Sequence, residues 1–180
     1  MTAKQNSQRL TEKKWRRLIE DFLEYLQIER NCSPLTIRNY RHYLERFVDW
    51  LVKHYPRLSV TRLNLETVKK YRVYLARWQN KKGLTLKRAT QGYHVIALRA
   101  FLRYLARRDI KSLAPEKIEV PKGESQSLKF LEIEQVERLL TAPSISDLRG
   151  LRDKAILELL FSTGLRVSEL VQLNRDQVNL

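Results

Sequence analysis

A chain of 180 residues is long enough for one large or two small domains with real cores. Its charge divides them: residues 1–120 carry 27 Lys+Arg against 11 Asp+Glu, net +16, and residues 121–180 carry 8 against 9, net −1. The first segment is therefore suited to a polyanion and the second is not by bulk charge, while no apolar run approaches the roughly 18 residues of a membrane span and the N-terminal residues lack a signal-peptide core.

After a polar start, Trp15, Ile19, Phe22 and Leu26 recur at helical steps with Lys13, Arg16, Arg17, Glu20 and Glu24 between them, which predicts an amphipathic helix over about residues 11–30. Asn31-Cys32-Ser33-Pro34 reads as a break and a restart, because Ser33 can cap the next helix and Pro34 fits its first position. That second helix runs to about His54. Its core face is Ile37, Tyr40, Leu44, Phe47 and Leu51, with Arg38, Arg41, His42 and Arg46 around the other side.

Tyr55-Pro56 ends the second helix, and Leu58 to Leu63 is a connector too short and unpaired to be read as a strand. Asn64 is placed to cap a third helix carrying Val68, Tyr71, Leu75 and Trp78 inward and stopping near Lys82-Gly83. A fourth helix begins near Thr85 and turns Val95, Leu98, Leu102 and Leu105 toward the core. Arg99, Arg103 and Arg107 repeat at four-residue intervals and form a ridge, extended at its start by Lys87 and Arg88. A basic stripe by itself is ordinarily solvated surface. Two helices with basic outer faces in a net +16 segment favour a nucleic-acid surface, and a membrane surface fits less well because the basic residues are spread over several helices that also need a core.

Residues 109–128, with Pro115, Pro121, Gly123 and three serines, lose the periodicity and read as an interdomain linker. Beyond it, Ile133, Val136, Leu139 and Leu140 mark a short helix, Pro143 to Ser146 a loop, and a longer helix starts near Leu148. The second segment has about 50 residues of helix and little to close its apolar faces, so on size it looks unfinished, and Asp176 to Leu180 resembles the entry to a strand.

Chemistry shows at Thr163-Gly164-Leu165-Arg166-Val167-Ser168-Glu169-Leu170. An apolar helical run, Ala155, Ile156, Leu159 and Leu160, is stopped by a glycine suited to a left-handed cap, and a new periodic segment begins at once. Arg166 is expected in the first turn of that segment, where its planar donor fork and the free N–H groups of the helix start together suit a phosphate oxygen; Glu169, three residues on, can orient it. Spacing alone leaves a second reading open, a helix–turn–helix corner with an ordinary surface Arg–Glu pair.

Cys32 is alone, so there is no disulfide framework, and it is expected to be a small buried or capping residue. His42, His54 and His94 show no metal-ligand spacing, and no metal is expected. A soluble, cytoplasmic protein follows from these features.

Ser33-Pro34-Leu35-Thr36-Ile37 with Tyr40, and Leu98-Arg99-Ala100-Phe101-Leu102-Arg103-Tyr104-Leu105, resemble the N-terminal core-binding, or SAM-like, domain of the tyrosine recombinase (phage integrase) family, its Xer-type members above all. Phe130-Leu131 to Leu140, then Arg152-Asp153 through Thr163 to Leu170, resemble the opening of that family's catalytic domain. The resemblance implies a mainly α chain: a four-helix core-binding domain over residues 1–110, a linker over 111–128, and over 129–180 the helical, truncated start of an α+β catalytic domain. It implies a strand transfer without metal or nucleotide cofactor, in which a tyrosine attacks the scissile phosphate, a 3′-phosphotyrosyl intermediate forms and a 5′-hydroxyl leaves.

By the same resemblance Arg166 matches the first catalytic arginine and Glu169 a supporting acidic position. Helices two and four lie near the major groove in the family, which nominates Thr36, Arg38, Arg41, Arg46, Lys87, Arg88, Arg99 and Arg103 for DNA contact, mostly with phosphates. The expected partners are duplex DNA carrying a recombination site and other recombinase protomers, with no membrane and no small-molecule substrate, and the expected location is a prokaryotic or phage-type nucleoid. The family's hairpin lysine, His-x-x-Arg pair, further His or Trp and tyrosine nucleophile all belong after residue 180, and none of the eight tyrosines follows Arg166. Binding without cleavage is therefore expected of these 180 residues. A truncated, non-catalytic competitor for recombination sites and an unrelated basic helical RNA-binding protein are the alternatives.

Overall fold

The structure, a computed structural model, describes residues 3–121 and 130–177, with side chains from residue 8 onward. Among the described residues the chain is mainly α: α1 (Ala3–Ile28), α2 (Pro34–His54), α3 (Leu65–Arg77), α4 (Arg88–Arg107), α5 (Ile133–Thr141), α6 (Leu148–Thr163) and α7 (Val167–Leu170), with short 3₁₀ turns between some of them. It divides into two compact units, residues 1–124 and 125–180. No helix among the described residues is long and apolar enough to cross a membrane.

The first unit is held by one core. α1 contributes Trp15, Ile19 and Phe22, α2 Leu44, Phe47 and Leu51, α3 Val68, Tyr71 and Leu75, and α4 Val95, Leu98, Phe101, Leu102 and Leu105, all buried. Aromatic rings fix the order of the helices. Trp15 meets Phe47 edge-on at 5.7 Å and Phe22 meets Tyr40 at 5.8 Å, so α1 and α2 run antiparallel, whereas Phe22 on Phe101 at 5.7 Å and Tyr25 on Tyr104 at 5.0 Å make α1 and α4 parallel. The buried indole of Trp15 is satisfied by donating to the Leu58 carbonyl at 2.8 Å, which ties α1 to the connector after α2.

Helix boundaries follow local chemistry. Ser33 caps α2 by accepting from the Thr36 amide at 3.3 Å with Pro34 at the first position, and Asn64 caps α3 by accepting from the Thr67 amide at 2.9 Å. Asn31 (φ 47°) and Asp109 (φ 56°) take the left-handed conformation just past α1 and α4, which short polar side chains tolerate.

Three helix boundaries and one loop differ from the sequence reading. α1 begins at Ala3 rather than near residue 11, because nothing in residues 3–10 breaks a helix. α3 ends at Arg77, five residues before Lys82: Trp78 is extended, and a turn clasped by the Asn80 side chain replaces the last helical turn. α4 starts at Arg88 rather than near Thr85, which instead forms an antiparallel bridge with Gln79. Residues 110–118 fall in the stretch that lost periodicity, yet Leu113 and Ile118 are buried against the same core, because a chain leaving α4 can cover its end without being helical. Residues 122–129 of that stretch, and the strand-like residues 178–180, lie outside the described residues; Arg175–Gln177 is a 3₁₀ turn.

In the second unit α5 and α6 pack on each other across the Pro143–Ser146 loop. Asp147 caps α6 by accepting from the Gly150 amide at 2.7 Å. Gly150 has to be glycine here: a Cβ would lie 1.5 Å from the Ser144 carbonyl oxygen, so any side chain would drive the loop off the helix. No described residue of this unit is buried, and Phe130, Ile133, Leu148 and Phe161 are exposed.

Candidate nucleic-acid interface

Several cations of the first unit meet acids. Arg16 donates to Glu12 at 2.9 Å and to Asp49 at 2.8 Å, Arg41 grips the Glu20 carboxylate with both terminal nitrogens, and Arg108 pairs with Glu29. The hydrogen bonds from Arg41 are the main reason the Glu20 carboxyl is held below its usual range. The run of residues 67–108, from α3 through α4, contains 12 Lys+Arg and no Asp or Glu, with Arg108 at its end reaching back to Glu29. It is the longest stretch of this unit without an acid in sequence.

The nominated residues distribute as follows. Arg38 and Arg103 are exposed on α2 and α4. Thr36 is half-buried, its hydroxyl 3.0 Å from that of Ser33 inside the cap. Arg41 is occupied by Glu20. Arg46 lies with its guanidinium carbon 4.3 Å over the Trp78 ring, a cation–π stack joining α2 to the turn after α3. Lys87 is exposed at the cap position of α4 and Arg88 is exposed in its first turn. Arg99 is half-buried, and both its Nε and one Arg46 terminal nitrogen are buried without a hydrogen-bond partner among the described residues. At the end of the ridge Arg107 donates to the Tyr25 hydroxyl at 2.9 Å.

Sequence reasoning passed over Lys81 and Lys82, which stand exposed on the turn between α3 and α4. The acid-free run was the signal that would have found them, since it brackets the turn on both sides. His94, which shows no metal-ligand spacing in sequence, is a core histidine. This side chain is 1 % exposed, its Nδ1 is 3.3 Å from the Tyr71 hydroxyl, and burial together with the charge of Arg46 pushes its pKa down to about 4. Of the aromatic rings read as inward-facing, Trp15, Phe47 and Tyr71 are buried, and Tyr40 and Trp78 are half-buried. Tyr93 is an exposed ring on α4, stacked on Tyr43 at 6.2 Å.

In the second unit Gly164 ends α6 in the left-handed conformation, φ 67°, with its amide bonded to the Leu160 carbonyl at 3.0 Å. Arg166 is the residue before α7, not within its first turn, because its backbone is extended (ψ 152°). α7 is a single turn of four residues, too short for an appreciable macrodipole, so the guanidinium itself is the main anion-binding group at this corner. Glu169 fixes it twice, accepting from the Arg166 amide at 2.7 Å and from one guanidinium nitrogen at 3.1 Å. The Arg166 side chain is 82 % exposed, so the rest of its donor fork is open to a ligand.

A four-helix unit with an acid-free basic run through α3 and α4 precedes a helical segment that carries an oriented arginine. Residues 19–109 match the model of the phage integrase N-terminal SAM-like domain, and residues 129–180 match that of the phage integrase family. The chain belongs to the phage integrase family of tyrosine recombinases. Family members similar to it include the tyrosine recombinase XerD of Halalkalibacterium halodurans, 34 % identical over 163 residues, which are 90 % of this chain and 52 % of that protein. XerC of Bacillus pumilus is 36 % identical over 165 residues, 91 % of this chain and 52 % of that protein. XerD of Vibrio cholerae is 34 % identical over 164 residues, again 91 % and 52 %. The chain therefore spans about half the length of the curated relatives it matches. No solved structure matches it.

Proposed function

We propose that the first unit is a core-binding domain that grips duplex DNA through the basic side formed by α2, α4 and the turn between α3 and α4, with Arg38, Arg46, Lys87, Arg88, Arg99 and Arg103 facing phosphates and Thr36 and Arg41 at the edge. In this reading residues 129–180 belong to a catalytic domain. Arg166, oriented by Glu169, binds a non-bridging oxygen of the scissile phosphate and offsets the charge that builds as a tyrosine oxygen attacks phosphorus and the 5′-oxygen leaves. The observation that carries the reading is the acid-free basic run of residues 67–108 set on a fully buried helical core, in a chain of this family.

All eight tyrosines precede Arg166, so a polypeptide of these 180 residues is proposed to bind DNA without forming a covalent adduct. Fluorescence anisotropy with labelled duplex at several salt concentrations tests the first half. If about six to ten phosphates are neutralised, the log–log slope of the binding constant against salt is about −5 to −9. A slope near zero, or preference for single-stranded RNA in competition, overturns duplex binding. Incubation with nicked suicide duplexes carrying recombination sites of the similar Xer proteins tests the second half, and a denaturation-resistant protein–DNA adduct would refute it.

A further inference from the structure

We infer that the turn between α3 and α4 is a preformed phosphate clamp, with Lys81 and Lys82 as DNA-contacting residues beside those nominated on the helices. The inference rests on the duplex-binding reading above and extends it to a site of its own. Three observations carry it. First, the turn is rigidly built for its length. Gln79 and Thr85 form an antiparallel bridge, the Asn80 amide donates to the Leu84 carbonyl and the Gly83 amide to the Asn80 carbonyl, both at 3.0 Å, and the Asn80 side-chain oxygen accepts from the Lys82 and Leu84 amides, both at 2.9 Å. Gly83 supplies the left-handed residue that closes it, φ 73°. Second, its base is anchored to α2, because Trp78 is the ring on which Arg46 lies at 4.3 Å. Third, its lysines have no acid close by in sequence: Lys81 and Lys82 are exposed at the tip, and the nearest acids along the chain are Glu66 and Asp109.

A flexible lysine loop loses conformational freedom when it binds, and a loop already clasped by its own hydrogen bonds loses less. Placing two adjacent ammonium groups on such a turn, level with the start of α4, gives a bracket for successive phosphates of one strand. The contact positions the duplex and carries no sequence information.

The test is anisotropy titration of duplex DNA across a salt series with the full chain and three variants. Lys81→Ala/Lys82→Ala is expected to weaken binding about tenfold or more near 0.1 M salt and to reduce the magnitude of the log–log slope by about 1.8, two phosphate contacts' worth. Lys13→Ala/Lys14→Ala removes the same charge from exposed positions on α1 and is expected to leave the slope near that of the wild type. Asn80→Ala keeps both lysines and opens the clasp; severalfold weaker binding with a preserved slope is expected. Circular dichroism melts establish that all three fold. A steep wild-type slope that the Lys81/Lys82 variant leaves unchanged, or that the two double variants reduce equally, overturns the clamp while leaving duplex binding intact. A wild-type slope near zero overturns both.

Discussion

His94 sits in surroundings that change its ordinary chemistry. It is buried between α2 and α4 with Tyr43 on one side, Tyr71 on its Nδ1, and the charges of Arg46 and His42 nearby, so the folded chain holds it neutral with a pKa of about 4 against 6.5 for a free imidazole. The unfolded chain takes up a proton first as the pH falls through 6.5. Stability is thus full above that value and drains away down to about pH 4, by up to about 3 kcal/mol for a difference of this size. Urea midpoints measured from pH 7 to 4.5 are expected to fall in the wild type and to be visibly flatter in His94→Gln, since carboxylates titrate in both. Equal pH dependence of the two proteins would refute a neutral buried His94. No spacing rule points to this residue, because burial of a lone histidine on a helix is set by what two other helices place against it.

Among the elements, α1 acts as an electrostatic counterweight. Acids on it and just past its end take up Arg16, Arg41 and Arg108. Exposed pairs such as Arg41–Glu20 contribute at most about 1 kcal/mol each to stability, so their larger effect is on which cations stay available. Glu20→Gln is expected to release Arg41, lower the melting temperature slightly, and raise duplex affinity severalfold with a salt slope steeper by about one contact, about 0.9. Unchanged affinity and slope in that variant would show that Arg41 lies off the DNA path. The periodicity of Trp15, Ile19 and Phe22 was enough to place α1 and its inward face; the partnering of its outer charges was not, because Glu20 and Arg41 are 21 residues apart and meet only once α1 and α2 pack antiparallel.

On the scale of the whole molecule the two units have different physics. The first buries residues of four helices in one core, where truncating Leu98 or Leu102 to alanine costs about 2–5 kcal/mol. The second has no buried residue among those described, and its apolar side chains, Ile133, Leu148 and Phe161 among them, are largely open to water. Native-state hydrogen exchange is accordingly expected to show α2 and α4 amides protected to the level of global unfolding, while α5 and α6 amides exchange orders of magnitude faster. Comparable protection in both units would refute the contrast.

Much of this was written in the chain. The apolar spacing of α1, α2 and α4, the Ser33 and Asn64 caps, the left-handed Gly164 and the pairing of Arg166 with Glu169 are local, and each depends on side chains within about one turn of one another. The family resemblance was legible for the same reason, since its motifs are short and continuous. Tertiary structure decided what depends on residues far apart: the burial of Leu113 and Ile118 in a stretch without periodicity, the neutral His94, and above all which of the many cations are neutralised. A composition of +16 says that a polyanion is wanted. Only the packing of α1 against α2 and α4 determines that Arg41 and Arg108 are paired, because an ion pair is a fact of distance and not of sequence.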